Sequence, residues 1–152
     1  MTFEIVEAIG QRRQRRVRAA MAISKSSRQD AQRHSILIVE DDAIMALTMN
    51  DELSALGYEV VAVTDNGREA IALARAQQPD LVILDVRLRG DTDGIATAVA
   101  ITESISTQIV FVTAHVDAES RRAMAAVAYA GLLAKPYTSD QLARTVRAAL
   151  ED

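Results

Sequence analysis

From Ser35 onward the chain alternates short apolar runs with longer segments in which apolar residues recur every three or four positions. Ile36-Leu37-Ile38-Val39, Tyr58 to Val63, Asp80 to Asp85, Gln108 to Thr113 and Gly131 to Ala134 are the short runs. They are rich in Val, Ile and Leu and stop at polar residues. Such runs read as strands, and those without polar alternation as strands buried on both faces. Between them, Ala43 to Leu56 reads as a helix with Met45, Met49, Leu53 and Leu56 on one face and Gly57 as its C-terminal cap. Asn66, with Glu69 three residues later, opens a second helix with Ala70, Leu73 and Ala74 inward. Ile95 to Ser104 and Asp117 to Tyr129 follow as helices. Thr138 and Gln141 form a capping box for the last helix, which turns Leu142, Val146, Ala149 and Leu150 inward. Five strands alternating with five helices predict an α/β fold: a doubly wound, five-stranded parallel sheet with helices on both faces. With strand order 2-1-3-4-5, strands one and three are neighbours at the topological switch point, where such sheets place their ligands.

Composition changes this picture at one place. The 152-residue chain carries a net charge of -4, but residues 1–34 hold eight Lys/Arg against Glu4, Glu7 and Asp30, while residues 35–152 are strongly acidic. We place a boundary there: 1–34 is expected to be a basic, flexible N-terminal extension and 35–152 the folded domain. The arginines from Arg12 to Arg18 could serve an acidic partner, but no aromatic residues interleave with them, which argues against nucleic acid. The extension is read as a leader without a specific role. The chain has no Cys, which excludes disulfides, thiol catalysis and Cys-ligated metal, and makes the cytoplasm the expected compartment. The apolar runs are too short to span a membrane, and the first twenty residues lack the apolar centre of a signal peptide.

The chemistry gathers at the strand ends. Strand one ends in Glu40 and Asp41, strand three in Asp85, strand four in Thr113, and Lys135 follows strand five. In a parallel sheet these ends share one edge. Three carboxylates at close range repel and desolvate one another, and a cation makes the cluster tolerable. No His or Cys accompanies them, so the ligand set is hard oxygen and selects Mg²⁺ or Mn²⁺ over zinc. Thr113 offers a hydroxyl and Lys135 a point charge, both suited to phosphoryl oxygens. A carboxylate so placed is equipped to attack phosphorus and form an acyl phosphate.

Ile36-Leu37-Ile38-Val39-Glu40-Asp41-Asp42, Leu81-Val82-Ile83-Leu84-Asp85, Val112-Thr113-Ala114 and Lys135-Pro136-Tyr137 together resemble the receiver domain of two-component response regulators, over Ser35 to the C-terminus. The resemblance implies the flavodoxin-like fold, Asp85 as phosphoacceptor, and Glu40, Asp41, Asp85 and the backbone carbonyl of Arg87 as metal ligands. It implies Thr113 and Lys135 as the phosphoryl-binding and switch residues, a cis Lys135-Pro136 bond, and Arg87 and His115 as residues that tune phosphoryl lifetime. Two departures stand out. The loop from Val86 to Gly94 lacks the common Met-Pro but keeps Asp93-Gly94, and Leu132 occupies the position where a switch aromatic usually lies. Tyr137 is read as a packing residue.

The expected function is that of a single-domain response regulator. It would accept a phosphoryl group on Asp85 from a sensor histidine kinase or a histidine phosphotransfer protein, with Mg²⁺, and signal through changed protein contacts, with a homodimer left open. It is not expected to be an enzyme beyond self-phosphorylation and autodephosphorylation. The alternatives are a receiver-like binding module that works without phosphorylation and a Mg²⁺-dependent phosphatase with an Asp nucleophile. The phosphatase type needs an Asp two residues after the nucleophile, where this chain has Arg87.

Overall fold

The computed structural model describes residues 33–88 and 93–151. The expected basic extension therefore lies, apart from Arg33 and His34, outside the described residues, as do residues 89–92. The elements in chain order are β1 (Ser35–Val39), α1 (Ala43–Ala55), β2 (Glu59–Thr64), α2 (Gly67–Gln77), β3 (Leu81–Asp85), α3 (Gly94–Ser104), β4 (Gln108–Thr113), α4 (Ala118–Met124), β5 (Gly131–Ala134) and α5 (Ser139–Leu150). The strands form one sheet in the order β2-β1-β3-β4-β5, with every pairing parallel, as the alternation predicts.

Side-chain alternation divides the strands between two cores. Leu37, Val39, Val82, Leu84, Ile109 and Phe111 point to one face, covered by Ala70 and Ala74 of α2, Ala98 and Ile101 of α3 and Met124 of α4. Ile36, Ile38, Leu81, Ile83, Val110 and Val112 point to the other, covered by Met49 and Leu53 of α1 and Leu142, Val146 and Ala149 of α5. The central strands β1, β3 and β4 are thus buried on both sides, which is why they contain no exposed polar position to break the apolar run.

Local signals set most helix ends. Asp42, Asn66, Asp93 and Asp117 each cap a helix by accepting a bond from a backbone N–H in its first turn. Thr138 and Gln141 form the full reciprocal box at α5. Gly57 follows α1 with φ +98°, the left-handed conformation that ends a helix with least strain at glycine.

Two expectations need correction. The fourth helix ends at Met124, not Tyr129. Beyond it Val127 N–H bonds to the Met124 carbonyl, Tyr129 sets its ring edge-on to Phe111 at 5.4 Å, and Ala130 N–H bonds to the Ile109 carbonyl. The chain must leave the helix to make those contacts and to enter β5 beside β4. On α1, the buried face is Ala46, Met49 and Leu53, whereas Met45 is half-buried and Leu56 is 48% exposed. Leu56 sits past the last helical residue, as the C-cap.

Leu53 and Leu56 therefore differ in cost. Leu53→Ala is expected to lower the unfolding free energy by about 2–5 kcal/mol, and Leu56→Ala by less than about 1 kcal/mol, as measured by urea denaturation. Equal losses at the two positions would show that this helix face is misassigned.

Candidate functional site

Parallel pairing brings the C-terminal ends of β1, β3, β4 and β5 to one edge, and backbone bonds just beyond the strands lock them there. Glu40 N–H bonds to the Thr64 carbonyl at 2.9 Å, Val86 N–H to Val112 at 3.0 Å and Lys135 N–H to Thr113 at 2.8 Å. Glu40, Asp85 and Thr113 are all buried, each under a tenth exposed. One carboxylate oxygen from each of Glu40, Asp41 and Asp85 falls within 4.8 Å of the others. The three acids expected to converge do so, because β1 and β3 are adjacent.

Lys135 completes the cluster from β5. Its Nζ donates to Asp85 Oδ2 at 2.6 Å and to Glu40 Oε2 at 3.4 Å, and lies 3.2 Å from Glu40 Oε1. The Lys135-Pro136 peptide is cis, as the resemblance implied. Two backbone amides finish the framework: Asp42 N–H donates to Glu40 Oε2 at 3.1 Å and Arg87 N–H to Asp85 Oδ1 at 2.9 Å. Asp85 is thus held in one orientation by the amide two residues on and by the ammonium.

The electrostatics follow from burial. Burial pushes the Glu40 carboxyl above its ordinary range; the Asp42 amide pulls it back, the Asp85 charge pushes it further up, and Lys135 pulls it down, with a net rise. Burial disfavours the Lys135 ammonium, but its hydrogen bond to Asp85 and the charges of Asp85 and Glu40 outweigh that and raise its pKa. Lys135 is therefore charged at neutral pH. Three carboxylates and one ammonium leave two negative charges in excess, which a divalent cation matches. Among the described residues, Glu40 Oε1 is the one buried side-chain oxygen without a hydrogen bond. The nearby ammonium contacts it as an ion pair without hydrogen-bond alignment. An all-oxygen donor set with an unsatisfied buried oxygen fits a hard cation such as Mg²⁺.

The remaining expected residues lie on the loops around the edge. The Thr113 hydroxyl donates to the His115 carbonyl at 2.8 Å and accepts from the His115 N–H at 3.1 Å, so it closes a tight turn at the end of β4. The His115 and Arg87 side chains are exposed. The Arg87 guanidinium lies 4.0 Å from Asp117, the N-cap of α4, a residue the sequence marked only as a helix start. Tyr137 packs, half-buried, against the core beneath α1 and α5. Leu132 is partly buried against the opposite core.

Glycine 94 explains why Asp93-Gly94 persists in an otherwise divergent loop. A Cβ there would overlap the Asp85 carbonyl oxygen and stand 2.8 Å from its carbon and 2.9 Å from Val86 Cα. Only glycine lets α3 begin against the backbone of the site strand, with its N–H bonded to Val86 at 2.9 Å.

A doubly wound parallel sheet with an acidic cluster and a lysine at its switch point defines a receiver-type site. Comparison with known proteins agrees. The profile of the response regulator receiver domain matches residues 36–147, and the chain belongs to that family. It is 35% identical over 118 residues to the transcriptional regulatory protein PdtaR of Mycobacterium tuberculosis, covering 76% of this chain and 56% of that protein. It is 29% identical to the chemotaxis protein CheY of Bacillus subtilis, covering 77% of this chain and 98% of that one. Among solved structures, the signal receiver domain of a modulated diguanylate cyclase from Desulfovibrio desulfuricans G20 superposes with a TM-score of 0.74 at 36% identity, covering 78% of this chain and 94% of that one. The chain spans about half the length of several curated relatives that it matches. No helix among the described residues is long and apolar enough to cross a membrane.

Two outcomes test this geometry. Gly94→Ala is expected to cost about 1–3 kcal/mol of stability and to displace the Asp85 backbone, seen in urea unfolding and in the amide shifts of Asp85 and Val86. Burial, and then the charges of Glu40 and Glu52, push the Tyr137 phenol up from 10.0 to about 12. The neutral phenol is favoured in the fold, so its contribution is whole below pH 10 and lost as pH rises through about 12. Tyr137→Phe should flatten the loss of stability across that alkaline window, and an unchanged slope would refute the assignment.

Proposed function

We propose that this protein is a phosphoryl-accepting signalling switch in a two-component phosphorelay. Asp85 accepts a phosphoryl group from the phosphohistidine of a sensor kinase or a histidine phosphotransfer protein. The observation that carries this reading is the Lys135 ammonium 2.6 Å from Asp85 Oδ2, with Glu40 and Asp41 beside it at the sheet's switch point.

In this reading Glu40, Asp41, Asp85 and the Arg87 carbonyl would hold Mg²⁺. When bound, the ion neutralises charge on the phosphoryl oxygens. The Arg87 amide and Lys135 orient the Asp85 carboxylate toward the incoming phosphorus. An Asp85 oxygen forms the new P–O bond as the P–N bond to the donor imidazole breaks, and the imidazole leaves with the electron pair. Lys135 then pairs with a phosphoryl oxygen. Thr113 donates its hydroxyl to another once it releases the His115 carbonyl, and this rearranges the loop before α4. The chemistry is confined to its own aspartate, so the protein turns over no other substrate. It acts in the cytoplasm through protein contacts altered by that loop.

Incubation of the full chain with acetyl phosphate and Mg²⁺ is expected to add the mass of one phosphoryl group to the wild type and none to Asp85→Asn, read by intact mass. Chelation of the metal should abolish the gain. An unmodified wild type that still binds partners would favour the phosphorylation-independent module, and steady release of p-nitrophenol from p-nitrophenyl phosphate would favour the phosphatase. Mg²⁺ is also expected to raise the melting temperature of the wild type and to lose most of that effect in Glu40→Gln, since binding to the native state alone stabilises it.

A further inference from the structure

Arg87 is joined to the site at one end and to a helix at the other. Its backbone N–H is fixed on Asp85 Oδ1 at 2.9 Å. Its guanidinium reaches out through solvent to 4.0 Å from Asp117 Oδ2. Asp117 divides its carboxylate between two tasks. Oδ1 accepts the Ser120 N–H at 2.7 Å and caps α4, while Oδ2 faces Arg87. The bonds from Ser120, then the nearby His115 and Arg87, hold its carboxyl below the usual range, so it is a full negative charge at neutral pH.

We propose that Arg87 is an exchangeable bridge. In the resting protein it pairs with Asp117 at the start of α4, and a phosphoryl group on Asp85 draws it away. Asp117 is then a positioning residue that competes with the phosphoryl group for Arg87. This rests on the reading of Asp85 as phosphoacceptor. The Arg87–Asp117 pair is long and exposed, with side-chain accessibilities of 67% and 43%, so it is weakly held and screened by salt. A phosphoryl group two residues away carries more charge than a carboxylate and offers the guanidinium a bidentate partner. The same event competes for the Thr113 hydroxyl, now tied to His115. Two of the ties on residues 113–117 are therefore open to release by one change at Asp85. With Leu132 where the family usually places a rotating aromatic, this exchange supplies a route from the site to α4 that needs no aromatic.

The test is a double-mutant cycle on the full chain. Asp117→Asn keeps an oxygen that can cap α4 but removes the competing charge. Arg87→Gln removes the bridge. Beryllofluoride with Mg²⁺ is the probe, titrated at low salt. Asp117→Asn is expected to tighten beryllofluoride binding about threefold in the wild-type background and to leave it unchanged in Arg87→Gln, with the coupling shrinking at high salt. Amide exchange in the first turn of α4 should rise on adding the probe to the wild type and not to Arg87→Gln. Equal shifts in both backgrounds, or no shift in either, overturn the bridge alone, provided acetyl phosphate still modifies Asp85. A wild type that takes neither acetyl phosphate nor beryllofluoride overturns the bridge together with the reading beneath it.

Discussion

The structure is organised around the contact between the Lys135 ammonium and two buried carboxylates. Glu40 and Asp85 are almost wholly withdrawn from water, and Asp41 lies beside them at the same edge. Two unit charges less than 5 Å apart repel by about 3–4 kcal/mol at an effective dielectric near 20. Burial at that edge adds to the cost of keeping the carboxylates charged. Lys135 reduces the excess, and two backbone amides share in holding the charge, but a deficit remains. Burial raises the Glu40 pKa and leaves one of its oxygens without a hydrogen bond. A site left electrically unfinished in this way favours ligands that bring positive charge and oxygen-seeking chemistry.

The elements around that edge fall into two mechanical classes. Glu40, Asp85 and Thr113 stand at the ends of strands buried on both faces, where the surrounding packing gives little room to move. Gly94 adds to this rigidity by letting α3 start against the Asp85 backbone. The Arg87 and His115 side chains are exposed, and beyond local backbone bonds their loops are tied by a hydroxyl turn and a long ion pair to Asp117. On the proposed reading, a new charge at Asp85 would meet a fixed acceptor and a more loosely held surround. That contrast is what a switch requires, since the site must stay in place while the loops exchange partners.

The expectations that failed did so where distant residues decide local form. Asp117 to Tyr129 has helical spacing throughout, yet the helix stops at Met124 because Tyr129 is needed against Phe111 and Ala130 against Ile109. Leu56 falls on the apolar stripe of α1 by spacing but is the C-cap, past the last helical residue, and is 48% exposed. Spacing reports what a helix could bury, and the position of the sheet determines what it does bury.

The amino-acid order by itself determined the alternation of strands and helices, the caps at Asn66 and Thr138, the glycine after α1, and the placing of Glu40, Asp41, Asp85, Thr113 and Lys135 at strand ends. Each of these depends on residues a few positions apart, where backbone geometry and side-chain type act directly. Only the tertiary structure decided that Lys135 bridges Asp85 and Glu40, that Thr113 turns onto His115, and that Arg87 meets Asp117. Except for the Thr113 turn, those contacts join residues separated by tens of positions. Even that turn depends on which way a hydroxyl rotates once the sheet edge is assembled, and no pattern along the chain records it.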